Sequence, residues 1–310
     1  MRSPSPFLPL RQAMAPLFAL ACLGAGQTAS AQRVPPGEVS SSFTLSVVNQ
    51  RDADLDNGGT FGWNGAAVYA EVKRQFTPEL SLGLSARLAR ENWSFGTPGA
   101  FGPVAPWTDV LRPSIGVNLG YALARDLSLF VSPQLEWAYE SGARTSDAVS
   151  YGAVLGGVKV FSPSLVLGLG VGVFRQIDRS QIFPFPIVNW QITEGWRLSN
   201  PLRAGPAGGA GLELSYAVSD AWELATGAAF RDYRFRLNGS GPAPGGIGRS
   251  EGAPVFARLT RKFGPAAQLD LYAGAVAGGK LQLHDAAGAT LQSTGYRAAP
   301  LLALSGSVSF

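Results

Sequence analysis

VFSPSLVLGLGVGVF, residues 160–174, is the most apolar stretch outside the N-terminus, and glycine takes every second position at 168, 170 and 172. A helix would scatter those glycines around its axis, each costing about 1 kcal/mol relative to alanine. An extended strand instead gathers Leu165, Leu167, Leu169, Val171 and Val173 on one face. Val166, the three glycines and Phe174 fall on the other. Such a strand fits a soluble core or a membrane, and its relatives along the chain decide between them.

The turn at its start recurs. QFTPELSLGL (75–84), VFSPSLVLGL (160–169) and KFGPAAQLDL (262–271) share an aromatic, a small residue, a proline and an alternating apolar run. YALARDLSLF (121–130) and YAVSDAWELA (216–225) put aspartate where proline stood, and WQITEGWRLS (190–199) uses Glu-Gly. With Pro78, Arg125, Pro163, Glu194, Asp220 and Pro265 as markers, the spacings are 47, 38, 31, 26 and 45 residues. A solenoid or propeller keeps a nearly fixed period, and this chain does not. One kind of connection stays short, while the other varies over 51–62, 93–107, 140–147, 176–185, 200–208, 237–253 and 284–298. Those variable connections are rich in Gly, Pro, Asn and Asp. Short turns on one rim and long loops on the other are the asymmetry of outer-membrane barrels.

The strands agree with that asymmetry. Leu80, Leu82, Leu84, Ala86 and Leu88 alternate with Ser81, Gly83, Ser85 and Arg87, and Leu269, Leu271 and Ala273 alternate with Asp270 and Tyr272. Phe76, Tyr121, Phe161, Tyr216 and Phe263 precede five of the six short turns and would line up as an interfacial girdle. The final LLALSGSVSF (301–310) alternates out to Phe310, as do last strands read by the barrel-assembly machinery of Gram-negative bacteria. Six short turns join twelve strands, and a first (43–50) and last (301–310) make fourteen. If the short pair around Glu194 is a loop hairpin, the count is twelve. The expected fold is thus all-β, a transmembrane antiparallel up-and-down barrel over 43–310, behind a short periplasmic segment at 32–42.

The leader and the bulk composition are consistent with export. Arg2 and Arg11 precede an apolar core, and Ala29-Ser30-Ala31 offers the small residues of a signal-peptidase site, predicting a cleaved signal peptide over 1–31. Cys22, the only cysteine, lies inside it; Ala19-Leu20-Ala21 lacks the leucine that a lipoprotein site wants three residues before the cysteine. Of the net charge of +4, two charges are Arg2 and Arg11, so the remainder gives no argument for nucleic acid despite a pI of 9.4. A charged fraction of 15% and a mean hydropathy of +0.10 are too polar for a bundle of membrane helices.

The stretches NWQITEGWRLSNP (189–201) and GLELSYAVSDAWELATGAAFRDYRFRL (211–237) carry a resemblance. They are similar to an uncharacterised family of proteobacterial outer-membrane barrels in which tryptophan-centred turns recur late in the chain. The resemblance implies an outer-membrane location and a barrel; it brings no substrate and no catalytic residue.

Chemistry is sparse. His284, the one histidine, is followed by Asp285 with nothing marking a nucleophile as partner, so a triad is not expected. GLGVGV (168–173) lacks the lysine and the strand-to-helix context of a phosphate loop. Asp52, Asp54 and Asp56 in RDADLDNGG resemble the start of a calcium loop, but Asn57 stands where glycine is required and Trp63 where a bidentate glutamate is. A looser calcium site there competes with an acidic hairpin reversed at Asn57-Gly58. No cofactor is expected. In RDYRFRL (231–237), Arg234 and Arg236 follow Phe230 outward near the outer rim, where guanidinium forks suit lipopolysaccharide phosphates. The expected partners are therefore outer-membrane lipid, lipopolysaccharide and, through the strand ending at Phe310, the barrel-assembly machinery.

Alternation places Glu71, Lys73, Arg87, Glu136, Glu213, Glu223, Arg231, Arg258, Lys262 and Asp270 in the lumen, five of each sign. Balanced charges can pair across the interior, whereas selective pores concentrate one sign. The small glycines pull toward an open lumen. Three readings follow: a passive pore or small-solute channel, a structural or surface-interaction barrel with a closed lumen, and, third, an outer-membrane enzyme.

Overall fold

A computed structural model describes residues 35–96, 98–202 and 210–310; the leader, Cys22 and the cleavage site lie outside them. The described chain is a closed antiparallel barrel of fourteen strands. They are β1 (Val39–Asp54), β2 (Thr60–Gln75), β3 (Leu80–Phe95), β4 (Asp109–Ala122), β5 (Leu127–Trp137, resuming as Tyr139–Glu140), β6 (Val149–Ser162) and β7 (Leu165–Gln176). There follow β8 (Arg179–Gln191), β9 (Trp196–Ser199), β10 (Gly211–Ala217), β11 (Trp222–Ala229, resuming as Arg231–Arg236), β12 (Ile247–Phe263), β13 (Ala267–His284) and β14 (Thr290–Ser309). Neighbours in sequence pair all the way round, and β1 closes on β14 from Ser42↔Ser309 to Gln50↔Leu301. The pair around Glu194 belongs to the wall, with Leu198 facing Trp190 and Trp196 facing Tyr216, so the count is fourteen rather than twelve.

The short turns show why their sequences recur. Thr77 Oγ1 accepts from the backbone N–H groups of Glu79 and Leu80, and Ser219 Oγ accepts from those of Ala221 and Trp222. The small residue after the aromatic is thus a side-chain acceptor that closes the turn. Gly264 stands at that place in its own turn and takes the left-handed backbone (φ +71°), and Gly195, two residues after Thr193, does the same (φ +82°). Phe76, Tyr121, Phe161, Tyr216 and Phe263 are 39–59% exposed, so all five rings point out of the barrel in one belt at this rim. Above them the outward row continues with Leu84, Leu88, Leu155, Leu169 and Leu271, an apolar band far larger than a soluble surface tolerates.

In the opening stretch, now β7, Leu167, Leu169 and Val173 belong to that outward band. On the inner side Gly170 faces Phe185 and Gly172 faces Phe183 across the ladder with β8. A Cβ at either glycine would stand 2.3 Å from the partner ring. The glycines therefore do not open the lumen as expected; their space is taken by phenylalanine rings lying flat on the strand.

At the opposite rim the strands run further than the bilayer-length reading allowed. The connections expected at 51–62, 176–185 and 284–298 reduce to 55–59, 177–178 and 285–289, and β1 begins at Val39 rather than 43. The extended ends persist because their inward residues find a core. After Ala138, β5 leaves β6: Tyr139–Glu140 pairs with β4 and, in parallel, meets Arg236 of β11. The wall thereby narrows to nine strands, β1–β5 and β11–β14, closed on themselves. Glu140 secures the seam, accepting from the backbone N–H groups of Thr108 at 3.0 Å and Asn238 at 3.1 Å.

Inside this narrow collar lies an aromatic core of Phe61, Trp63, Trp93, Phe95, Phe101, Trp107, Phe235 and Tyr296. Loop 96–108 supplies Phe101 and Trp107. Ring centroids approach to 4.6 Å for Phe61–Tyr296 and 5.2 Å for Trp107–Phe235. Each such pair adds about 0.5–1.5 kcal/mol beyond its area burial. The collar is therefore plugged by its own side chains.

Candidate functional site

Below the collar the interior has three kinds of wall. On β10–β13 it is filled by charge. Arg258 reaches Glu213 at 2.5 Å, Glu223 at 2.9 Å and Asp270 at 3.1 Å, and Thr260 donates to Asp270 at 2.6 Å. Lys262 and Arg197 complete the shell of Glu223 at 3.1 and 3.6 Å. Three cations face three carboxylates, and burial is tolerable because each charge has a partner. Alternation pointed to five of these six ionic residues; it missed Arg197, on the four-residue β9, whose run is too short to show a period.

On β2–β5 the inner face is polar and partly exposed. Glu71 accepts from Tyr69 at 2.9 Å and Asn118 at 3.0 Å, and Lys73 and Arg87 lie along the same face. Glu136 pairs with Arg112 at 2.9 Å, and Arg112 lies 3.7 Å from Glu91 and over the ring of Tyr233. Next to them round the barrel the inner face of β6–β8 is apolar: Val154, Val158, Phe174, Phe183, Phe185 and Ile187. Phe174 stacks on Phe183 at 6.0 Å, and Phe183 meets Phe185 at 6.1 Å. These side chains are half-buried, so the chamber they line is open to solvent-sized molecules.

The apolar wall ends at a break in the ladder. β9 and β10 reach only Asn189 and Ala229, so above them the edges of β8 and β11 face each other without pairing among the described residues. Pro184 and Pro186 lie on this edge of β8 and have no N–H to offer a neighbour. Asn200 knots the lower end of the break, accepting from Val188 N–H at 2.9 Å and donating to the carbonyls of Pro186 and Gly211. Replacing Asn200 by alanine leaves those backbone groups unmatched and should cost about 1–3 kcal/mol, read as an earlier heat-induced gel shift of the folded barrel. The upper end is bridged by charge: Arg179 to Asp232 at 2.6 Å, and Arg234 to Asp178 at 2.6 and 3.0 Å.

That bridge corrects the reading of the rim arginines. Arg234 does point out of its strand, but the β7–β8 tip covers it, leaving its side chain 4% exposed. Arg236 donates to the carbonyls of Asp147, Gly245 and Ala286. Arg234 is therefore committed to Asp178, and Arg236 is engaged by backbone carbonyls through Nε and Nη1. Alternation gives the direction of a side chain; it does not say what else stands there.

The other candidates are also dispersed. Asp52 and Asp54 are exposed on β1 and Asp56 sits in the following turn; no group of three or more His, Cys, Asp or Glu suited to a metal occurs among the described residues. The calcium reading is thereby withdrawn, since a hairpin strand keeps its carboxylates extended. His284 Nδ1 contacts Thr290 Oγ1 at 3.1 Å, while Asp285 accepts from the N–H groups of Ala287 and Ala289 in its own turn. The carboxylate beside the histidine is occupied by the backbone and orients no base.

No protein-family profile and no curated protein matches the chain. Among solved structures it is similar to an outer membrane channel from Pseudomonas putida F1, at 13% identity and TM-score 0.47, covering 89% of this chain and 97% of that one. The P. putida toluene transporter TodX aligns at 11% identity and TM-score 0.43, over 89% and 90%. A Pseudomonas aeruginosa FadL homologue aligns at 10% and 0.31, over 87% and 90%. Likenesses at this level assign neither a family nor a solute.

Proposed function

We propose that the chain is an outer-membrane channel of a Gram-negative bacterium that passes small, weakly polar solutes. One observation carries this reading: the inner face of β6–β8 is apolar and half-buried, whereas that of β2–β5 is polar and that of β10–β13 holds the buried ion network beside Phe256 and Tyr272. A water-filled ion pore has no use for phenylalanines along its lumen, because apolar constrictions dewet. A solute with an apolar body would be favoured there by about 25 cal/mol for each Å² it buries. Since the aromatic core blocks the collar, the route runs between the short-turn opening and the break between β8 and β11. The outward apolar band and aromatic belt support a membrane location, and the leader at 1–31 supports export. The plugged collar is the observation that favours the alternative, a closed structural barrel.

The two are separated by the uptake of 1-N-phenylnaphthylamine into cells with intact outer membranes. Expression of the protein should speed uptake. Phe183→Glu, which sets a carboxylate in the middle of the apolar track, should return it to the rate of cells lacking the protein. No gain from the wild type, at normal folded levels in the membrane, would favour the closed barrel.

A further inference from the structure

Just beneath the aromatic core, buried hydrogen-bond donors collect without acceptors. Four arginines of the described chain are less than a tenth exposed: Arg112, Arg231, Arg234 and Arg258. Three have carboxylate partners, Arg112 in Glu136 and Glu91, Arg234 in Asp178, and Arg258 in Glu213, Glu223 and Asp270. Arg231, 4% exposed on β11, has none within ion-pair distance among the described residues. Its Nη2 donates across the interior to Gln50 Oε1 of β1 at 2.9 Å, and its Nε has no acceptor.

Gln50 is fixed the same way round. Its Oε1 also accepts from Trp63 Nε1 at 2.9 Å, so two donors hold the amide with Nε2 turned away, and Nε2 too is buried without a partner. Gly252, the cross-strand partner of Arg231, lets the wall close in here: a Cβ on it would stand 2.6 Å from Val276 Cγ1 and 3.3 Å from the hydroxyl of Tyr296, which is itself buried without a partner. Around this cradle are aromatic faces, Trp63 at 5.1 Å and Tyr233 at 5.8 Å from the guanidinium, with Phe61 tilted against Tyr296. A buried guanidinium is unfavourable without a counter-charge, and the unused N–H groups of Arg231 Nε and Gln50 Nε2 are donors a carboxylate could satisfy. The aromatic surroundings favour an apolar body over a hydrated inorganic ion.

We propose that Arg231, with Gln50 and Tyr296, binds the carboxylate of a small organic acid inside the barrel. Binding is read at equilibrium and needs no flux, so this proposal and the channel reading can fail separately. The full-length barrel, folded in detergent, would be titrated with hexanoate while tryptophan fluorescence is followed, Trp63 being the adjacent reporter. A saturable change is expected with hexanoate, none with hexanamide, and no displacement by sodium sulfate. Arg231→Gln should weaken hexanoate binding by about 30-fold, the loss of a charge-assisted bond. Should Arg231→Gln fail to fold, Arg231→Lys keeps the charge without the fork and should weaken binding by about tenfold. No saturable signal, equal affinity in the folded variant, or equal binding of sulfate would overturn the assignment.

Discussion

Glu213→Ala should lower the stability of the barrel by about 3–5 kcal/mol, the cost of leaving a buried cation short of its nearest partner. Arg258 is held by three carboxylates and the hydroxyl of Thr260, yet Glu213 meets it twice, through Nε at 3.1 Å and Nη2 at 2.5 Å. Removing that carboxylate leaves three cations against Glu223 and Asp270 in a region 1–7% exposed, save for the partly exposed Lys262 and Arg197. The readout is the temperature at which the folded band converts to the unfolded one on a gel. A triple variant, Glu213→Ala with Arg258→Met and Asp270→Asn, removes the central cation together with the two carboxylates that only it serves and should recover most of the loss. If the single variant melts with the wild type, the network is solvated and contributes little.

The second large effect belongs to the plug. Trp107 is 1% exposed and touches Trp93, Phe95, Phe101 and Phe235, with centroids 5.2–5.8 Å away. Trp107→Ala should cost about 3–5 kcal/mol, because a collar closed by nine strands cannot collapse onto the hole. The same change tests the seal. The wild type should carry little ion current across a planar bilayer, and Trp107→Ala combined with Phe235→Ala should give discrete steps. Open steps from the wild type at the outset would mean that ions bypass the aromatic core.

Much of this architecture could be read along the chain. Leu167, Leu169 and Val173 announce their face by period two, and the turns at Thr77 and Ser219 announce themselves by residue type, because both depend only on neighbours in sequence. The inward direction of the charges on β10–β13 was legible for the same reason, though not which of them pair. Arg112, Gln50 and the Trp63–Trp93 pair were not, since nothing local separates an inward residue that is solvated from one that meets the far wall.

The break beside β8 shows the boundary well. Pro184 and Pro186 are a local signal for an edge that cannot pair, and in hindsight they mark it. That the edge faces β11, and that Asp178 and Arg179 of the β7–β8 tip reach Arg234 and Asp232 across it, depends on how far each strand rises. Rise is set by tilt and by what the strand ends pack against, which are properties of the closed wall.

Barrel class, strand faces and the position of the short turns thus follow from local chemistry. The narrowing to nine strands rests on Tyr139 meeting Arg236, residues far apart in the chain whose pairing no periodicity records. That long-range contact determines which inward side chains are pressed together into a plug and which are left lining a chamber. Free volume inside a barrel is a difference between opposite walls, and a single strand carries only one of them.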